Sequence, residues 1–319
     1  MRYEYLKFLK CPVTGEDLEL EVYKENDGEI LSGKLFSSQA EFQITNGIPR
    51  FVKDEGYSDN FGWQWNRWAR VQFEDENVGR PMAGHTTKMF QAITELTSEK
   101  LKDKTILDIG CGPGRFIDIS RNLGAKLVIA VDYSSAIDAA KDNFKDTTGI
   151  FFVQGDALNL PFKKELFDFA YSIGVLHHTP SPIKGVQEAS RVLRQGGEFA
   201  ISVYKKGGYY DFITVQMWRK IFKGVWPLFG HRLPYLYAQF FGRINYYIRR
   251  ISRLLSLPIR FVFPSVTLPD VRWSVLDTFD SVTPSYQSAH TVYEVYSWFK
   301  ESGFSEMRVA AWENIIGRK

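Results

Sequence analysis

The chain has 319 residues, long enough to bury a sizeable core, and its 44% hydrophobic and 24% charged content is ordinary for a globular protein. Forty Lys and Arg against 37 Asp and Glu leave a net charge of +3, too small to mark a nucleic-acid binder by itself. Two cysteines exclude a disulfide framework, and no run of 18 apolar residues offers a membrane span.

The start, MRYEYLKFLKCPV, lacks the apolar stretch of a secretory signal, so a cytoplasmic protein is expected. Tyr5 to Leu9 suits a short helix. Leu18, Leu20 and Val22 alternate with acids, Asn26-Asp27-Gly28 is a turn, and residues 29–35 form a second strand. Phe42 and Ile44 give another alternating pair before the turn Asn46-Gly47-Ile48-Pro49. Residues 1–56 therefore read as a small β-rich module. Its segment Cys11-Pro12-Val13-Thr14 and its closing Asn46-Gly47-Ile48-Pro49 resemble the zinc-ribbon-like module of the Trm112 type. The cysteines that would complete a zinc site are missing, so hydrophobic packing is expected to carry this module and no metal is expected.

Residues 57–100 crowd Tyr57, Phe61, Trp63, Trp65, Trp68 and Phe73 together. Phe61, Trp65 and Trp68 share a helical face, which suits either a core-facing helix or a lid, with Gln64 and Arg67 beside the ligand. Phe90, Ile93 and Leu96 predict a further helix against the sheet.

Residues 101–204 carry the clearest signal. Ile106, Leu107 and Ile109 predict a buried strand, and Gly110, Gly112 and Gly114 allow a tight turn with close backbone approach to a ligand. A helix from Phe116 ends near Gly124, and the strand from Leu127 ends in the carboxylate Asp132, placed for ribose hydroxyls. The glycines fall on alternate positions after Asp108, unlike the G-x-G-x-x-G of dinucleotide sites. That pattern suits a cofactor with an amino-acid tail and no phosphate. The stretch resembles the class I S-adenosylmethionine-dependent methyltransferases, in particular the type 11-like small-molecule group.

The resemblance implies a doubly wound, seven-stranded Rossmann-like α/β sheet that binds S-adenosylmethionine and releases S-adenosylhomocysteine. It assigns Gly110, Cys111 and Gly112 to the methionine portion of the cofactor and Asp132 to the ribose, with Asp108 and Tyr133 also at the cofactor. Asp156 and Ala157, after the strand Phe151-Phe152-Val153, go to the adenine. Gln64, Ile173 and His177 complete the cofactor set. Strands at 167–173 and 199–203 continue the sheet, with a helix after Ser181-Pro182 between them. A final helix and antiparallel strands return at 289–319.

Residues 205–288 form an insertion. From Lys205 to Arg260 it holds eleven Lys or Arg against the single acid Asp211. Tyr237, Phe240, Phe241, Ile244, Tyr247, Ile248, Ile251, Leu254 and Leu255 recur at helical spacing. Such a basic, aromatic helix suits an acceptor cap, a peripheral contact with the inner face of a membrane, or a homodimer. The segment from Trp273 through Leu276-Asp277, Phe279-Asp280, Pro284 and Tyr286 to His290 resembles one found in some methyltransferases of this group.

Methyl transfer needs alignment of donor and nucleophile, and a hydroxyl acceptor gains from a base. His178 is the leading candidate, with His290 and Tyr286, and then His85, as alternatives. The sequence thus predicts transfer to a hydroxyl of a lipid-like, phosphate-bearing or glycan-related small molecule, with nucleic acid disfavoured. C- or N-methylation, or a non-catalytic scaffold that binds a partner protein, is the alternative.

Overall fold

Two-residue hairpin loops set the amino-terminal strands. In the computed structural model, which describes residues 1–53 and 56–319, β1 (Glu19–Asn26) turns at Asp27-Gly28 into β2 (Glu29–Phe36). After β3 (Glu41–Thr45), Asn46-Gly47 turns into β4 (Ile48–Arg50). Both loops have positive φ at both residues (48° and 72°, 51° and 68°), the twist that antiparallel hairpins favour. Residues 54 and 55, at the predicted end of this module, lie outside the described residues.

Next come α1 (Asp59–Arg67), α2 (His85–Thr94) and the single turn α3 (Ser98–Leu101). The core then alternates β5 (Thr105–Ile109), α4 (Arg115–Asn122), β6 (Leu127–Asp132), α5 (Ala136–Asn143) and β7 (Ile150–Gln154). It continues with β8 (Phe167–Ile173), α6 (Pro182–Val192) and β9 (Leu193–Ser202). The insertion folds as α7 (Ile213–Phe229), α8 (Arg232–Tyr237), a π turn (Ala238–Gly242), α9 (Arg243–Ile251), α10 (Arg253–Val262) and α11 (Val271–Val282). The chain ends with α12 (Val292–Glu301), β10 (Glu306–Val309) and β11 (Ile315–Arg318).

The sheet order is β1-β2-β3-β4-β7-β6-β5-β8-β9-β11-β10. Its last seven strands are the predicted doubly wound sheet, parallel except where β11 and β10 return antiparallel. The central strands are nearly continuous apolar runs because both faces are covered. Leu107, Ile109, Ile129 and Val131 pack on one face, while Ile106, Val128 and Ala130 pack on the other. Chain order reverses at β5, which sends β6 and β7 one way and β8 and β9 the other. That reversal opens a crevice at the carboxyl ends of β5 and β8.

The amino-terminal strands continue this sheet. β4 pairs in parallel with β7 through Arg50 and Gln154, and the Arg50 guanidinium donates to Asp138 (2.5 Å) and Gln154 (3.0 Å). Tyr5 stacks on Phe151 at 4.7 Å, and Lys141 donates to Glu29 (2.7 Å) and the Asn46 carbonyl (2.6 Å). Asp138 is thus spent on Arg50. The cap of α5 is made by Ser134, whose hydroxyl accepts from Ala136 N–H at 3.2 Å.

The predicted apolar stripe of the insertion does not form one continuous face. The π turn at 238–242 and the extended Ser252 (ψ 125°), which caps α10, each reset the helical phase. Tyr237 and Tyr246 are buried, while Phe240, Ile251, Leu254 and Leu255 are exposed. Trp218, Phe222, Tyr237, Phe241, Phe263 and Val282 make a small core of the insertion's own. Gly242 lets the π turn approach α11 closely, since a Cβ there would lie 3.3 Å from Thr278 and from Val275. Among the described residues, no helix is long and apolar enough to cross a membrane.

Candidate active site

The turn after β5 is built so that only glycine fits where it bends most sharply. Gly110, Gly112 and Gly114 have φ of 80°, 53° and 98°. Gly110 N–H and Cys111 N–H both donate to the Val131 carbonyl (2.7 and 3.1 Å), which folds the turn back over β6. A Cβ on Gly110 would sit 2.4 Å from Val175, and one on Gly112 would meet the Trp65 indole at 3.4 Å. Helix α1 therefore lies directly over the turn. Asp132, at the end of β6, accepts from Gly112 N–H (2.8 Å), Ser134 N–H (2.9 Å) and the Ser134 hydroxyl (2.7 Å). A carboxylate offers about four lone-pair positions, so one remains for a ligand hydroxyl.

These elements enclose a cavity of about 350 Å³, within the range of cofactor sites. In one part of its wall Tyr57 lies 5.0 Å from Tyr133 and edge-on to Tyr286 at 5.4 Å, beside Ala157. That is an aromatic cover suited to a purine. In another part, residues of α11 meet those of α4 and the segment after β9: Asp277, Asp280, Arg115 and Tyr204 all line the cavity. Tyr204 stacks on Tyr210 at 3.8 Å and its hydroxyl donates to Asp280 (3.1 Å), to which Gln64 also donates (3.4 Å).

Of the residues assigned to the cofactor from the sequence, Gln64, Gly110, Cys111, Gly112, Asp132, Tyr133, Ala157 and Ile173 line this cavity. Asp108 stands beneath it, 1% exposed, and accepts from the Tyr171 hydroxyl at 3.1 Å. Asp156 turns its carboxylate onto Leu158 N–H (2.8 Å), while its neighbours Gly155 and Ala157 face the cavity. His177 is fully buried behind the wall, 3.8 Å from the Tyr204 ring and 4.1 Å from His178, with no hydrogen bond to either ring nitrogen among the described residues.

Of the predicted catalytic candidates only His178 lines the cavity, joined there by the alternative His85. His290 stands in a separate groove, its Nε2 2.7 Å from the Ser288 hydroxyl and its ring edge-on to Trp298. Tyr286 is 47% exposed, and its carbonyl lies 3.0 Å from His178 Nδ1.

Burial dominates the electrostatics of the site. It pushes the Asp108 carboxyl up to about 8 and, with Asp280 adding repulsion, Asp277 to about 7. It raises Asp132 and Asp156 above the usual carboxylate range, although backbone N–H groups pull both back. It lowers Arg115 to about 10, which leaves that side chain a cation at neutral pH, and it lowers His177 and His178. Cys111, its thiol raised by burial, has no reactive character.

The sequence reading missed Arg115, Tyr204 and Tyr210, and it gave Asp277 and Asp280 no role. A signal was present. α11 reads VRWSVLDTFDSV, and two acids one turn apart in so buried a helix need a reason to be there.

Residues 107–201 match the methyltransferase domain family Methyltransf_11. With the strand order and the glycine turn, this match gives the chain a class I S-adenosylmethionine-dependent methyltransferase fold, consistent with use of S-adenosylmethionine. A tRNA U34 carboxymethyltransferase of Hydrogenovibrio crunogenus is 29% identical over 140 residues, covering 42% of this chain and 42% of that protein. A probable tRNA methyltransferase 9B of Homo sapiens is 31% identical over 121 residues, covering 37% and 25% respectively. An uncharacterised chloroplast methyltransferase of Arabidopsis thaliana is 34% identical over 116 residues, covering 34% and 33%. The chain thus spans between a quarter and about two fifths of these relatives' lengths.

The two tRNA enzymes overturn the expectation of a small-molecule hydroxyl acceptor with nucleic acid disfavoured as a partner. The sequence misled for a physical reason. A net charge of +3 averages a strongly basic insertion with a more acidic remainder. The glycine turn, for its part, specifies only how the donor is held.

Proposed function

We propose that this protein transfers the methyl group of S-adenosylmethionine to a nitrogen of a tRNA-like RNA. The observation that carries the reading is the cavity itself, in which the glycine turn, Asp132 and the Tyr57–Tyr133 cover meet a second wall rich in hydrogen-bond acceptors. The bound cofactor supplies an electrophilic methyl group. The tRNA-modifying relatives support RNA as the acceptor. So do Lys220, Lys223, Arg232, Arg243, Arg250 and Arg253, all exposed on the insertion where phosphates could reach them, although Arg243 also bonds Gln239 and Arg250 the Pro269 carbonyl. An RNA acceptor puts the site of action inside the cell.

His178 takes the proton in this reading. A carbonyl can only accept, so the 3.0 Å contact with the Tyr286 carbonyl requires the hydrogen on Nδ1. Nε2 is then a bare lone pair on a residue that lines the cavity, and burial keeps the ring neutral at pH 7. Tyr204 (5.3 Å) and Phe61 (4.9 Å) hold the ring in place from two sides. Asp132 holds the ribose, and the backbone from Gly110 to Gly112 gives the cofactor its close approach. In domain terms, 57–100 is the lid, 205–288 the acceptor cap, and 1–56 a packing support for the β7 edge.

Incubation with methyl-labelled S-adenosylmethionine and bulk tRNA from cells lacking this gene tests the reading. Label recovered in a ribonuclease-sensitive fraction, as an N-methylated nucleoside, is expected. Label found only in small metabolites, or no transfer to RNA, would contradict an RNA acceptor.

A further inference from the structure

Two opposite charges face the donor cavity without closing on each other. Arg115, the first residue of α4, lies over the Phe116 ring (4.4 Å to the centroid), and it makes no hydrogen bond or ion pair among the described residues. Asp277, on α11, also lines the cavity and accepts no hydrogen bond among the described residues. Its neighbour Asp280 differs, being held by Tyr204 and Gln64. Arg115 is a cation at neutral pH, Asp277 is half-buried and ionises near neutrality, and neither closes on a protein partner among the described residues, so a ligand that carries both signs would satisfy both.

The donor is such a ligand. Its amino-acid tail ends in a carboxylate and an ammonium on a single carbon, and the planar guanidinium fork suits a carboxylate. We propose that Arg115 and Asp277 form a clamp for that tail, Arg115 on the carboxylate and Asp277 on the ammonium. The clamp rests on the donor reading of the cavity and deepens it. It recruits a residue of the insertion to a task that the glycine turn would otherwise perform alone. Donor retention therefore depends on the insertion being docked through α11.

Calorimetric titration of the full chain with two ligands tests this: S-adenosylhomocysteine, which keeps the tail, and 5′-methylthioadenosine, which lacks it. The wild type is expected to prefer the tailed ligand. Arg115→Met should weaken S-adenosylhomocysteine roughly 10- to 100-fold, and Asp277→Asn about tenfold, as for hydrogen bonds to charged groups. Both variants should bind the tailless ligand within about twofold of wild type, which also shows that they are folded. Parallel weakening of both ligands, unchanged affinity for the tailed one, or a wild type with no preference would overturn the clamp alone. A wild type that binds neither ligand would remove the donor reading, and the clamp with it.

Discussion

Replacing Gly110 with alanine is expected to abolish measurable donor binding and to destabilise the fold by about 2–5 kcal/mol. Two independent costs add. The residue sits at φ 80°, where a Cβ is strained, and that Cβ would lie 2.4 Å from Val175 Cγ1 and 2.9 Å from Val175 Cβ. Rotating the valine clears its methyl groups but not its Cβ, so the turn or strand β8 must shift. Either shift moves Gly112 N–H away from Asp132. Gly124→Ala separates the two costs. Its φ is 96°, but the nearest atom to its Cβ is 3.9 Å away, so it should show strain alone, about 1 kcal/mol, with normal donor binding. Urea unfolding and a donor titration of both variants make the comparison. Equal losses in the two would show that crowding at Val175 is irrelevant.

Replacing His178 with alanine should lower single-turnover methyl transfer roughly 10²- to 10⁴-fold and leave donor affinity nearly unchanged, as expected for a lost general base. The pH profile gives a stricter check. A base works deprotonated, so the wild-type rate rises with pH through the histidine's folded pKa. Burial is the largest influence on that pKa and lowers it, while Asp280 and the Tyr286 carbonyl raise it in part. The rising limb should therefore lie below 6.5, and the rate should be flat from pH 7 to 8. A limb centred above 7 would assign the proton transfer elsewhere, with Asp277 the first group to examine because its carboxyl is pushed up to about 7.

Much of the sheet and its glycine turn was legible in the chain. Strands such as 127–132 are apolar throughout because both faces are covered, and the alternate glycines fall where the turn adopts positive φ. The carboxylate Asp132 follows at a spacing fixed by one helix and one strand. The wall of the cavity opposite the glycine turn was not legible, because it depends on contacts between elements far apart in sequence. Tyr204 reaches Asp280 only because the segment after β9 meets α11 at the cavity, and Arg115 shares that wall with Asp277 because the start of α4 does too. His290 shows the converse. Sequence proximity to Tyr286 suggested a shared site, but the chain turns between them, leaving one residue at His178 and the other against Trp298. The insertion misled through its phase, which a π turn and Ser252 interrupt.

The most direct measurement is a calorimetric titration of S-adenosylhomocysteine into the wild-type chain and into Asp132→Ala. Saturable binding at one site per chain is expected for the wild type, weakened roughly 10- to 100-fold in the variant by the loss of a charge-assisted hydrogen bond to the ribose. Absence of saturable binding in the wild type, or equal affinity in the two proteins, would contradict the assignment of this cavity to the methyl donor.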